Sequence, residues 1–340
     1  MTKNSRHTPS RRTVLAQAAV FAAAGALISN PAIGQSKKKV KFAGINILSF
    51  SPMFVAKELG YFDDEGIDAE IIETQSGNST TSAMLGGSAD VISSSFANPL
   101  ILANQGKSVK ALIGLEMTSV YAFVVRPDLA VTQDDPGALA AALRGRRLGV
   151  ASLGSGADAV ASGVLAESGV GADGVIKVAV GTGASALAAL KAGAIDAMVT
   201  YEPDLTQVLK SGLAKIALDL RTTKSSTSYA LLPSTTLQAT SDWIQKNPEA
   251  AAGVVRAVAR ANKTLRHDKE KSLRVLSKLY SNIDPSDVKS MHEGEHYSFR
   301  SAIQKEQYDI AQNIYMQLKM IARAFPYEDA VATQFSELWN

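Results

Sequence analysis

Ser76-Gly77-Asn78-Ser79-Thr80-Thr81-Ser82-Ala83-Met84-Leu85-Gly86-Gly87-Ser88-Ala89-Asp90 returns without a gap as Thr182-Gly183-Ala184-Ser185-Ala186-Leu187-Ala188-Ala189-Leu190-Lys191-Ala192-Gly193-Ala194-Ile195-Asp196. The offset between the copies is 106 residues throughout. Each copy leads a hydroxyl residue and a Gly into a helical stretch, ends that stretch on Gly, and places an Asp before an apolar run. A hydroxyl at the start satisfies helix amides that have no acceptor of their own. Gly at the close supplies the left-handed cap. Any strand–helix protein reuses such signals, but an ungapped match of this length predicts two homologous lobes.

Working outward, the same grammar fills the flanks. In the first half, Val40–Ile47, Ala69–Glu73, Val91–Ser93 and Val109–Leu115 read as strands. Pro52–Leu59, Thr80–Leu85 and Asn98–Asn104 read as the helices between them. The second half restarts with strands at Arg147–Ala151, Ile176–Val180 and Ala197–Thr200, separated by helices at Asp158–Ser168 and Ser185–Ala192. Strands alternating with helices predict an α/β fold, a parallel sheet with helices on both faces. From Asp242 the chain turns helical, with single helices expected over Trp243–His267, Lys269–Tyr280 and Gln304–Ala324. Two extended runs, Met117–Arg126 and Ser225–Leu232, read as crossovers. They divide the mature chain into one lobe of residues 37–117 plus 230–340 and another of residues 118–229. Lobes joined through two strands open and close as rigid bodies.

With 46% hydrophobic and 20% charged residues, the 340-residue chain has enough apolar material for two globular domains. The absence of cysteine excludes a disulfide scaffold, cysteine-ligated zinc or iron–sulfur centres, and thiol catalysis. The net charge of +3 is unevenly placed. Residues 1–35 hold Lys3, Arg6, Arg11 and Arg12 and no acid, which leaves 31 basic against 32 acidic side chains in the rest. A nucleic-acid binder keeps its basic surplus in the folded part, so nucleic acid is not an expected partner.

Residues 1–35 read as a leader. Ser10-Arg11-Arg12-Thr13-Val14-Leu15-Ala16 sets paired arginines before an Ala-rich stretch that is too short and too weakly apolar to span a bilayer. The pattern resembles a twin-arginine export signal, with Val14 in place of the usual Phe and Gln17 in place of the usual Lys. A general secretion signal is the other reading. Either one places the mature chain in the periplasm, and with no Cys after the apolar run there is no lipid anchor site.

Ser49-Phe50-Ser51-Pro52, Ala56-Lys57-Glu58-Leu59-Gly60-Tyr61-Phe62 and Glu65-Gly66-Ile67 follow the first strand. Together with Gly87-Ser88-Ala89-Asp90-Val91, Gly106-Lys107-Ser108-Val109-Lys110, Leu190–Ala197 and Tyr201-Glu202-Pro203, they resemble substrate-binding proteins of the nitrate/sulfonate/taurine and pyrimidine-precursor type. Such proteins deliver ligand to ATP-binding-cassette importers. The resemblance covers residues 40–265, and more loosely the remaining helices. It implies a type II periplasmic-binding-protein fold, with two doubly wound α/β lobes joined by two hinge strands and the ligand in the interlobe cleft. It also implies no enzyme activity, no cofactor, an inner-membrane permease as partner, a small-molecule solute as cargo, and a monomer.

The residues between strands and helices suit that role. In doubly wound sheets ligands sit beyond the carboxyl ends of the strands, at helix N-termini that carry unpaired N–H groups and partial positive charge. The turns here are rich in small and hydroxyl residues. The candidate ligand contacts are Asn46, Ser49, Phe50, Gly77, Asn78, Ser94, Ser95, Phe96, Ser152, Ser155, Gly156, Ala157, Gly183, Ala184, Tyr201 and Glu202. Backbone amides at Ser94–Phe96, Ser155–Ala157 and Gly183–Ala184 are expected to do most of the holding, with Phe50, Phe96 and Tyr201 walling the cleft. Taken singly, each of these residues also reads as an ordinary cap or core residue. Glu202 has two readings: facing the cleft it selects an ammonium or ring N–H, and facing solvent it carries no information.

Three other patterns compete. His292-Glu293-Gly294-Glu295-His296 spells the zinc-hydrolase signature. That chemistry needs a stable buried helix, which Gly294 and the charged Glu295 oppose, so a solvated helix with surface histidines is expected. Gly154–Ala159 and Gly181–Ala186 fit a dinucleotide fingerprint, yet neither has an acidic residue ending the next strand, and Asp173 falls in a turn. A periplasmic ligand sensor uses the same fold as a transport protein, and the residues do not separate the two.

Overall fold

The computed structural model describes Met1 and residues 37–169, 174–222 and 227–340. The leader assigned to residues 1–35, the Asp173 turn and the start of the Ser225–Leu232 run lie outside the described residues.

Apolar runs and capped helical stretches alternate through the first half as β1 (Lys38–Gly44), α1 (Ser51–Glu58), β2 (Ile67–Glu73), α2 (Gly77–Leu85), β3 (Val91–Ser95), α3 (Asn98–Asn104) and β4 (Val109–Glu116). The second half follows as β5 (Ala122–Val125), α4 (Pro136–Leu143), β6 (Arg147–Val150), α5 (Gly156–Glu167), β7 (Ile176–Ala179), α6 (Ala184–Lys191), β8 (Ala197–Thr200), α7 (Asp204–Lys210) and β9 (Lys215–Asp219). The chain then returns through β10 (Thr235–Thr240) to α8 (Ser241–Lys246), α9 (Pro248–His267), α10 (Lys269–Leu279), α11 (Pro285–Glu295) and α12 (Lys305–Gln317).

Two five-stranded sheets result, in the orders β2-β1-β3-β10-β4 and β7-β6-β8-β5-β9. The expected all-parallel pairing needs one correction. In each sheet the strand arriving from the other half runs antiparallel to both neighbours: β10 between β3 and β4, and β5 between β8 and β9. A strand that enters from the opposite sheet reaches its slot against the local chain direction.

The repeat read from one helix extends through both sheets. Lys41 pairs with Glu70 and Arg147 with Ile176; Phe42 pairs with Val91 and Leu148 with Ala197. Each second pair is the first moved by 106 residues. The helices α3 and α7 keep the same offset at both ends. The repeated Asp has one job in both copies. Asp90 accepts from the Lys41 amide at 2.8 Å, and Asp196 accepts from the Arg147 amide at 2.9 Å, each tying the head of its strand to its neighbour. Gly87 and Gly193 both adopt positive φ where the repeated helix closes, which is why Gly recurs there.

Three expectations about local structure fail. The helix expected over Trp243–His267 is broken, because Pro248 starts a new helix and its ring cannot continue the one before it. Ser228–Leu231 is a single 3-10 turn rather than extended chain, and the returning strand lies later, at Thr235–Thr240. The helix expected over Gln304–Ala324 stops at Gln317, with Lys319 at positive φ just beyond.

The second helix of the broken pair, α9, buries Ala251, Val254, Val255, Val258, Ala261 and Leu265 against the first half of the chain. Its spacing puts these residues on one stripe. The C-terminus closes over the same sheet: Val331 bridges to Ala111, and Trp339 Nε1 donates to the Leu112 carbonyl at 2.8 Å.

Because Asp90 and Asp196 do the same work at matched places, Asp90→Ala and Asp196→Ala should destabilise the fold by similar amounts, about 1–2 kcal/mol each. Urea denaturation measures both; a large difference between them would contradict equivalent roles.

Candidate functional site

Beyond the carboxyl ends of β1, β3, β6 and β8 lies a cavity of about 50 Å³ that draws residues from both halves of the chain. Ser49 and Phe50 stand at the start of α1, Gly77 at the start of α2, and Ser155 and Gly156 at the start of α5. Ser95 and Tyr201 end β3 and follow β8, and Tyr121 and Val120 come from the first crossover. A water needs roughly 10–15 Å³ of such space, so the cavity has room for about three to five water-sized atoms. Past a wall shared by Ser95, Tyr121 and Gly156 lies a smaller void of about 10 Å³, bounded by Tyr229, Leu232 and Tyr315.

The 106-residue offset runs through the cavity wall. Ser49 and Phe50 correspond to Ser155 and Gly156, Ile45 to Ala151, and Ser95 to Tyr201, and all eight line the cavity. The site is therefore a pseudo-symmetric junction between two copies of one turn set.

Of the sixteen sequence-predicted contacts, the structure brings nine to this cavity: Ser49, Phe50, Gly77, Ser95, Ser152, Ser155, Gly156, Ala157 and Tyr201. Asn46, Gly183 and Ala184 instead line a wider outer groove of about 640 Å³. The amide at Gly183 is already used, because Asp204 accepts from it at 2.6 Å. Asn78 sits at the rim, where its Nδ2 donates to the Leu153 carbonyl of the other half at 3.4 Å. Ser94 pairs with Thr236 inside the first sheet. Phe96 is core rather than wall: its amide donates to the Ser234 carbonyl and its ring packs edge-on against Tyr308.

Glu202 faces neither cleft nor solvent. Its carboxylate is buried, accepting from the Thr206 amide and hydroxyl at 3.0 Å and pairing with Arg221 at 3.3 Å. Sequence reading missed Ile45, Ile47, Val120, Tyr121, Ala151 and Thr235. Tyr121 lay within a crossover that periodicity had located. Thr235 belongs to a strand the sequence reading placed too early.

None of the fifteen lining residues carries a formal charge. The polar groups are hydroxyls and backbone amides. The first-turn amides of α2 and α5 lie where a helix has no acceptor of its own, whereas at α1 the Ser51 amide is held by the Leu48 carbonyl and Pro52 has no N–H; each of the three helices adds partial positive charge at that end. Two hydroxyls from opposite halves, Ser49 Oγ and Ser152 Oγ, are shielded from solvent and have no hydrogen-bond partner. Burial raises the phenols of Tyr121 and Tyr201 above the ordinary tyrosine range, so both stay protonated donors at neutral pH. The lining itself offers donors and positive potential, which suits an anion. The one acid in these first turns, Asp158 of α5, is taken up by the Gly154 amide at 2.8 Å and by Lys177 at 2.6 Å.

The His292–His296 stretch departs from expectation in another way. His292 and Glu295 are buried rather than solvated. Helix α11 turns them inward, and His292 Nε2 donates to the Leu265 carbonyl at 2.7 Å. No group of three or more His, Cys, Asp or Glu side chains placed to hold a metal occurs among the described residues. No helix among the described residues is long and apolar enough to cross a membrane.

Comparison with known proteins agrees with this architecture. No curated protein matches the chain by sequence. A structure from Bordetella bronchiseptica RB50 superposes with a TM-score of 0.77 at 25% identity, covering 89% of this chain and 96% of its own. The nitrate-binding protein NrtA from Synechocystis PCC 6803 gives 0.72 at 18% identity, over 89% of this chain and 87% of that one. The alkanesulfonate-binding protein SsuA from Xanthomonas axonopodis pv. citri, bound to MOPS, gives 0.70 at 16% identity, over 85% and 96%. The fold is that of the type II periplasmic binding proteins. The family model for the NMT1-like family matches residues 34–279, and the chain belongs to that family.

Proposed function

We propose that this protein is the periplasmic solute-binding component of an ATP-binding-cassette importer, and that its cargo is a small anion carrying a sulfonate, carboxylate or nitrate group. The observation that carries the reading is the uncharged cavity at the junction of the two halves. Helix N-termini border it, and unpartnered hydroxyls line it from both halves of the chain. Membership of the NMT1-like family and the likeness to nitrate- and sulfonate-binding proteins support it.

The lobes, residues 37–117 plus 230–340 and residues 118–229, close over the solute. Ser49, Phe50, Gly77 and Ser95 hold it from one side, and Ser152, Ser155, Gly156, Ala157 and Tyr201 from the other. Contacts drawn from both lobes favour the closed population, and a ligand shifts that equilibrium only by binding the two forms unequally. The permease takes up the closed form. A leader of the twin-arginine or general secretion type delivers the protein to the periplasm, where it works as a monomer.

The same wall narrows the cargo. With Glu202 committed to Thr206 and Arg221, no carboxylate lines the cavity to receive an ammonium. A zwitterion such as taurine would bury its cation without a partner, at a cost of several kcal/mol. Phe50, Ile45, Ile47 and Val120 offer apolar contact to a short carbon body. The cavity's titratable groups are tyrosines that burial holds protonated, which supports binding rather than proton transfer.

A thermal-shift series checks this. Nitrate, methanesulfonate, ethanesulfonate, acetate and taurine are each added to the purified protein. At a hundredfold its dissociation constant, a ligand stabilises by about 2.7 kcal/mol. Ethanesulfonate should raise the melting temperature more than taurine does. If no anion moves it, the reading fails.

Two substitutions extend the test. Ser49→Ala and Ser152→Ala should each weaken the best anion by about 1–2 kcal/mol, roughly five- to thirtyfold, by removing a hydroxyl donor. Gly156→Val should abolish the shift and leave the far-ultraviolet dichroism unchanged. A Cβ at Gly156 already lies 2.6 Å from the Tyr121 hydroxyl and 3.0 Å from Ser95 Oγ.

A further inference from the structure

Where the crossovers join the two halves, three carboxylates meet one arginine, and a fourth, Glu116, lies within its field. Arg221 Nε and Nη2 hold both oxygens of Asp219, at 2.9 and 2.8 Å. Its Nη1 lies 3.3 Å from Glu202 Oε1 and 3.6 Å from Glu295 Oε1. Glu116, at the end of β4, receives the Ser298 hydroxyl at 2.9 Å on one oxygen. Glu116, Glu202 and Glu295 are 0%, 4% and 2% exposed. One guanidinium, already held by the half-buried Asp219, cannot also neutralise three buried carboxylates. Glu116 Oε2, both oxygens of Glu295 and the Tyr280 hydroxyl have no hydrogen-bond partner, although each is shielded from water. The carboxylates are not placed to share a metal. The cation small enough to complete the cluster is a proton.

The cluster is also divided between the lobes. Glu116, Glu295, Ser298 and Tyr280 belong to the half that carries the first sheet; Glu202, Asp219 and Arg221 belong to the other. Tyr297 spans the same seam, its hydroxyl donating to the Arg221 carbonyl at 2.7 Å.

We propose that Glu116, Glu202 and Glu295, gathered around Arg221 across this seam, form a proton-operated latch: the closed molecule holds protons there that the open one releases, so capture of an anion tightens as pH falls. The proposal rests on the lobe closure described above.

Burial is the first cause, raising Glu116 to about 8, Glu295 well above the ordinary carboxylate range, and Glu202 in the same direction. The carboxylates reinforce one another: Glu202 acts on Glu116, and both act on Glu295, while Arg221 opposes the rise at all three. The remaining charged or titratable groups around the cluster are Asp204, which adds to the rise at Glu202; Tyr121 and Tyr280, kept protonated first by burial and then by the cluster's field; Tyr297, raised by burial and Glu295; and Glu73, which acts on Tyr280.

Separating the lobes lets water reach these carboxylates and returns them toward ordinary values. The closed form is then favoured fully below pH about 4.5 and loses that advantage as pH rises through about 8. Each proton taken up on closing changes the closing equilibrium by up to about tenfold per pH unit in that window.

Methanesulfonate, which does not titrate in this range, is the probe, in a buffer free of sulfonates. Its affinity for the full chain should be about tenfold or more tighter at pH 6 than at pH 9. Glu116→Gln and Glu295→Gln, which imitate the protonated side chain, should each flatten the dependence by keeping affinity high at pH 9. Since the chain has no cysteine, Leu85→Cys and Leu153→Cys supply unique label sites on opposite lobes, and the distance between spin labels reports closure without any solute. That distance should shorten as pH falls, and less so in the Gln variants. A flat affinity profile, or Gln variants that keep the wild-type slope, overturns the latch. Distances that respond to pH while methanesulfonate and the other anions fail to bind would sustain the latch and overturn the cargo reading instead.

Discussion

Every helix that follows a strand begins with amides that no residue of the helix can satisfy, and the way each start is satisfied bears on where the proposed site can lie. Several starts are capped by the chain itself, that of α7 among them through Glu202 and Thr206. Ser76 accepts from Ser79 at α2, Asp135 from Ala138 at α4, and Ser155 from Asp158 at α5, while Asp204 closes the start of α6 through the Gly183 amide. A side-chain cap uses one amide of several, so α2 and α5 keep donors beyond their caps. At α1 no side chain caps, but the Ser51 amide donates to the Leu48 carbonyl and Pro52 has no N–H, so this start contributes its dipole more than its donors. Those three starts border the inner cavity, whereas the α6 start, held by the Asp204 carboxylate at Gly183, lines the outer groove instead.

The second organising constraint is the cost of buried charge. A carboxylate in the binding cavity would oppose an anion, and one left alone in the interior would be expensive. Glu202 is kept from both fates by Thr206 and Arg221, which leave the cavity neutral. The expense moves to the seam between the lobes, where Arg221 is shared by more acids than it can serve. The neutral cavity and the acidic cluster are thus two consequences of one placement, that of Glu202 directly after Tyr201 at the end of β8.

Much of this was legible in the sequence, for identifiable reasons. Periodicity and Gly caps located most strands and helices of both halves within a few residues, because local chemistry dictates them. The repeat was legible from one helix, and its register extends across two sheets. What escaped was non-local. Nothing local tells that β5 and β10 enter their sheets antiparallel, or that Glu295 turns inward to meet an arginine more than seventy residues away. The Asn247–Pro248 break was readable from Pro248 alone, but the apolar stripe on either side outweighed it. Among the predicted contacts, turn chemistry picked out helix starts correctly but could not tell a free amide from one already held by a distant side chain, as at Gly183.

That last failure explains how two copies of one lobe make a single asymmetric site. At the constant offset, Asp204 corresponds to Asn98. In the second copy the carboxylate reaches back to the helix start at Gly183. In the first copy the neutral Asn98 gives its Nδ2 to Gln238 Oε1 and leaves the start at Gly77 without a counter-charge. Glu202 corresponds likewise to Phe96, an acid diverted to the seam in one copy and a core aromatic in the other. Duplication supplied two equivalent sets of helix starts. A carboxylate at one position of the second copy closed its counterpart of the Gly77 turn, and the anion-compatible surface formed where the remaining starts meet.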